Sequence, residues 1–169
     1  MIIETDGKKQ LNVFIVDYWT PRHFKMLEVN DAAKTRIMAV AEKVLKNLDS
    51  RNLVLFQRKY TELSKRPDCF GGKHYFTHEA KTLKQTNRLF KVLNEGKLSP
   101  WEFTRLTAFI LTGRTGFKAS RAFYDFSVSQ GGKTKNFTLG ICIVLDLYQN
   151  KSAGWEFYNL GFWEKKNKK

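Results

Sequence analysis

From residue 31 to about residue 112 the apolar positions fall at steps of three and four; beyond residue 118 they fall at steps of two. The first rhythm is that of helices and the second that of strands. Asn30-Asp31 offers an N-cap to a helix running to about Leu48, with Ile37, Ala41, Val44 and Leu48 on its inner stripe. Leu83, Thr86, Phe90 and Leu93 mark the apolar stripe of a second helix that closes at Gly96. Ser99-Pro100-Trp101-Glu102 then places Ser at an N-cap, Pro at the first helical position and Glu at the third. That is the form of a capping box, and it predicts a third helix ending at Gly113.

The alternating part divides into three long strands, Ala119 to Ser129, Asn136 to Gln149 and Trp155 to Glu164. Gly131-Gly132-Lys133 and the stretch from Asn150 to Gly154 separate them, and links this short join antiparallel neighbours. Phe137, Leu139, Ile141, Ile143, Leu145 and Leu147 give the middle strand an unbroken apolar face, suited to a central position against helices. At the other end of the chain, Ile2-Ile3-Glu4, Asp6-Gly7-Lys8 and the run from Leu11 to Trp19 read as a hairpin interrupted by Pro21. Leu53 to Phe56 fits either a buried strand or a helical turn, and Ser64 to Lys73 reads as a loop. The expected fold is therefore α+β: an N-terminal β-hairpin, about three helices, then a three-stranded antiparallel meander with the helices on one face. Residues 1–164 form one domain in this reading, and 165–169 form a frayed basic tail.

Charge adds a partner to this picture. Thirty Lys and Arg stand against 16 Asp and Glu, a net charge of +14, and the excess is uneven. Residues 1–50 carry eight basic and seven acidic side chains, whereas residues 51–100 carry eleven and four. Within the second helix Lys81, Lys84, Arg88 and Lys91 recur at steps of three, four and three, which stacks them along one face. Such a ridge repels itself unless an anion sits on it, and the common polyanion in a cell is nucleic acid. Arg114, Lys118, Arg121, Lys133 and Lys135 extend the basic surface onto the exit loop and the strands. Arg121, Phe123 and Asp125 share one face of their strand, and Tyr124 and Phe126 the other. Cations interleaved with aromatics suit a single strand, because phosphates meet the charges while bases stack on rings. Most of the Phe side chains belong in a core; Tyr124, Trp155 and Trp163, with polar ends that tolerate water, are the aromatic candidates for the surface.

Two other patterns bear on chemistry. Cys69, His74 and His78 have the spacing C-x4-H-x3-H, but the pattern lacks a fourth ligand, and neither a metal nor another cofactor is expected. His74 and His78 could instead act as general base and acid in metal-free RNA cleavage, with Lys118 stabilising charge on the phosphorane and Tyr60, Lys73 and Arg114 in support. The order of elements resembles in layout the small ribonucleases of the barnase type; those place a His and a Glu on the sheet, and here the strands beyond residue 118 contain no His. No nucleotide-binding loop, dinucleotide fingerprint, hydrolase triad or paired-carboxylate cluster is present. Two cysteines are too few for a disulfide framework, no apolar run is long enough to span a membrane, and the first residues are not a signal peptide. The sequence therefore predicts a cytoplasmic protein without a membrane partner that binds RNA or another single strand rather than duplex DNA. Its alternatives are a metal-independent endoribonuclease using His74 and His78, and an interaction factor that docks an acidic protein surface.

Overall fold

The computed structural model describes residues 2–5, 8–12, 24–26, 29–54, 56, 84–111, 117–146 and 154–166. Eight strands and two helices occupy them: β1 (Ile2–Thr5), β2 (Lys8–Asn12), β3 (Phe24–Met26), α1 (Asp31–Asp49), α2 (84–93), β4 (Lys97–Leu98), β5 (Glu102–Leu111), β6 (Phe117–Gln130), β7 (Lys133–Asp146) and β8 (Glu156–Glu164). β1 and β2 pair antiparallel with each other. The remaining six strands form a curled antiparallel sheet in the order β3-β5-β6-β7-β8, with β4 beside β5 on the same edge of β6.

This arrangement corrects the expected class. The chain is predominantly β, with two helices among the described residues instead of about three and a six-stranded sheet where a three-stranded meander was expected. The third helix is in fact β5. Phe103, Thr104, Thr107, Phe109 and Ile110 are aromatic or β-branched, residues that favour a pleated surface over a helix. The capping chemistry is used across strands: Ser99 donates its N–H to the Ser127 carbonyl at 2.9 Å, and its Oγ accepts the Ser127 N–H at 2.8 Å. Pro100, which has no N–H to give a ladder, sits at the elbow between β4 and β5. The barnase-like layout falls with that helix, because helices no longer precede the sheet as a block.

α1 forms where its pattern indicated. The Asn30 side chain accepts the Ala33 N–H at 2.8 Å, and Ile37, Ala41, Val44, Leu45 and Leu48 are buried. At its far end the Trp101 indole donates to Asp49 Oδ1 at 2.7 Å, tying the helix to the β4–β5 elbow. α2 buries Thr86, Leu89, Phe90 and Leu93. Both helices cover the sheet face built by Ala122, Tyr124, Phe126 and Val128 of β6, Phe137 to Ile143 of β7 at alternate positions, and Leu160 and Phe162 of β8. Each fully buried Ile or Leu contributes roughly 1.5–3 kcal/mol by leaving water, so this layer dominates the stability.

The other face of β6 and β7 is buried as well, at Ala119, Arg121, Phe123, Cys142 and Val144. Register shifts on β5 between Phe103 and Arg105, and at Cys142/Ile143 opposite β8, add the local twist that lets the sheet curl. Lys165 is tied down: its N–H bonds the Asn136 carbonyl at 2.7 Å, and its ammonium pairs with Asp125. Among the described residues no helix is long and apolar enough to cross a membrane.

Candidate nucleic-acid interface

α2 lies beside the ends of β7 and β8, and between them runs a half-open groove of about 480 Å³. The helical period aims Gln85, Arg88 and Val92 along one flank, with Lys91 at the same wall and Glu95 just past the helix end. The opposite wall is Lys135 and Phe137 of β7 with Phe162, Trp163 and Glu164 of β8. Phe137 and Phe162 are buried, and Phe137 stacks on Phe126 at 5.1 Å between ring centroids, so the floor is rigid. Arg88 holds its guanidinium 5.5 Å from the Phe162 ring centroid, a cation–π contact that orients its charge at the groove. Trp163 is half-buried, and its ring turns to the other face of the sheet, toward Arg121 and Phe123.

Three cations from two elements thus converge on one groove, and two carboxylates stand among them. Among the described residues neither Glu95 nor Glu164 forms an ion pair with Arg88, Lys91 or Lys135. The local charge therefore stays net positive, and an approaching phosphate meets the cations without first displacing a carboxylate from them.

The expected binding residues separate into groups. Arg88, Lys91 and Lys135 meet at the groove; Lys84 is exposed on the same helix, and Lys133 is exposed two positions before Lys135 on the same strand. Lys118 is half-buried and pairs with Leu145, eight positions along β6 from the Phe126–Phe137 pair beneath the groove. At about 3.3 Å per residue that is roughly 26 Å away, too far to share a phosphate with Arg88. Lys81, Arg114, His74 and His78 lie outside the described residues. Among the described residues no group of three or more His, Cys, Asp and Glu could hold a metal ion.

No family model, no curated protein and no solved structure matches this chain. What it does must be read from its own geometry.

Arg121 and Tyr124 lie inside, at 1% and 4% exposure. Tyr124 faces the helices, and burial, reinforced by Glu42, pushes its phenol up to about 12. Arg121 lies on the other face, across Gly140, with its guanidinium 5.6 Å from the Phe123 ring and 5.3 Å from the Trp163 ring. Exposed Arg105 covers the same Phe123 ring at 4.4 Å. Burial pulls Arg121 down to about 9, against the field of Cys142, which raises it, and with that of Arg105, which lowers it. It remains a cation at neutral pH. These two residues build the sheet and lie beneath its surface. Gln85, Glu95 and Phe162 were not anticipated as groove residues; the period that selected Arg88 and Lys91 also places Gln85 on that flank.

Proposed function

We propose that the chain binds single-stranded nucleic acid, RNA foremost, along the groove between α2 and the β7–β8 ends. The observation that carries this reading is the convergence of Arg88 and Lys91 from the helix with Lys135 from the sheet on one groove. Cations hold phosphates at any sequence, which suits a flexible single strand. Size argues in the same direction. A groove of about 480 Å³ is a pocket for a nucleotide or two, and neither a duplex nor a recognition helix fits that description. The same reading keeps the protein in the cytoplasm, where the buried thiol of Cys142 stays reduced.

The test is a labelled single-stranded RNA titrated with wild type and with Lys84→Ala/Arg88→Ala/Lys91→Ala across a salt series. The triple variant should bind at least tenfold more weakly, and its log–log salt slope should flatten by about 0.7 for each phosphate it no longer neutralises. Lys135→Ala alone should lower affinity without disturbing the helix. Unchanged affinity and slope in both variants would overturn the assignment.

A further inference from the structure

A groove built only to hold phosphate gains nothing from acidic side chains, since each repels the ligand. This groove contains two, Glu95 just beyond the end of α2 and Glu164 from β8, and between described residues neither is neutralised by the cations around it. Two carboxylate acceptors beside three cations describe a site that reads a base while its neighbours hold the backbone.

The edge of the base decides which one. On their Watson–Crick edges, adenine and cytosine each offer one amino group beside a ring acceptor, and uracil offers one N–H between two carbonyls. Guanine alone presents two adjacent donors, N1–H and the N2 amino group, which a carboxylate accepts together as a fork. Its remaining O6 acceptor suits Arg or Lys. Single strands leave these edges open to side chains.

We infer that the groove is a guanine-selecting subsite, with Glu95 accepting the N1–H and N2 donors and Arg88 or Lys91 available to O6. This rests on the single-strand reading above and narrows it. Glu95 is the better reader of the two carboxylates because it is half-buried, whereas Glu164 is exposed. An acceptor shielded from water discriminates more strongly, since a base that cannot donate to it leaves it desolvated and unpaired.

The experiment uses fluorescein-labelled uridine decamers carrying G, inosine, A, C or U at one central position, with binding read by anisotropy. For the wild-type protein the G oligomer should bind about tenfold tighter than the others. Inosine, which keeps N1–H and lacks the N2 amino group, should fall between G and U. Glu95→Gln should reduce the preference for G to less than twofold, and an unchanged circular dichroism spectrum and melting temperature report an intact fold. Oligomers that all bind equally would overturn guanine selection and leave the single-strand reading standing. Failure of every oligomer to bind at low salt would remove both, and binding of a polyglutamate probe in its place would mark the groove as a site for acidic protein. A preference for G that survives in both Glu95→Gln and Glu164→Gln would overturn the assignment to these carboxylates.

Discussion

Arg121 shows how a single side chain can look like a ligand-binding residue and serve as an internal strut. Its guanidinium is held between Phe123 and Trp163, and its stem crosses Gly140, where a Cβ would stand 2.8 Å from Nε and 3.2 Å from Cδ. A long side chain could ordinarily move aside, but here moving means leaving both rings. Gly140→Ala should therefore cost about 1–3 kcal/mol in urea unfolding, and most of that cost should vanish in an Arg121→Ala background, where the clash is gone. Beside it, burial raises the Cys142 thiol to about 11 from an ordinary 9, with Arg121 pulling the other way. A raised pKa means that the folded chain keeps a proton the unfolded chain gives up, so this stability is complete below pH 9 and is lost as pH climbs through 11. Tyr124 adds a similar loss between 10 and 12. Arg121, with its lowered pKa, works in the opposite sense above pH 9, so the informative quantity is a difference. The melting temperature of wild type minus that of Cys142→Ala should fall steadily from pH 9 to pH 11.

At the scale of elements, the β4–β5 elbow is the instructive case. Ser99 and Pro100 satisfy every local requirement of a helix start, yet Ser99 closes a two-bond bridge to Ser127 and the chain continues as a strand. Ser99→Ala removes the acceptor of the Ser127 N–H and should cost about 1 kcal/mol by thermal unfolding, with Ser99→Thr restoring it. A helix N-cap would show the same first loss. The distinguishing sign is that Ser127→Pro, far away in sequence, should be still more damaging, because it deletes the N–H itself. Local pattern was sufficient for α1, whose buried stripe is set by its own spacing, and for β6 to β8, where alternation and Gly-containing links carry the information. It was insufficient for β5, whose state depends on a partner strand that its own residues do not reveal. The groove divides in the same way. Charge and helical period selected Arg88 and Lys91, but their meeting with Lys135 depends on Phe137 packing beneath α2. Arg121 and Tyr124 were misplaced because β6 is buried on both faces, so strand parity could not tell inside from outside.

For the molecule as a whole, the positive surplus concentrated in residues 51–100 has an outlet in the flank of α2 that faces the sheet end. That outlet is assembled from the middle of the chain and its C-terminal part, so it depends on the order in which the sheet is completed. β6 and β7 each span 14 residues and pair along their whole length, joined by Gly131 and Gly132 at φ +57° and +76°. Two consecutive positive φ values make the primed turn whose twist matches the strands it joins. Replacing both glycines with alanine should slow refolding measurably in stopped-flow while leaving the unfolding rate nearly unchanged, as expected if the turn is formed in the transition state. A hairpin that forms first would carry the Lys135 and Phe137 part of the groove with it, leaving α2 and β8 to complete the groove afterwards. A newly made chain would hold its core register before the groove was complete, so the proposed nucleic-acid binding would be the last property to appear on folding and the first to disappear on unfolding.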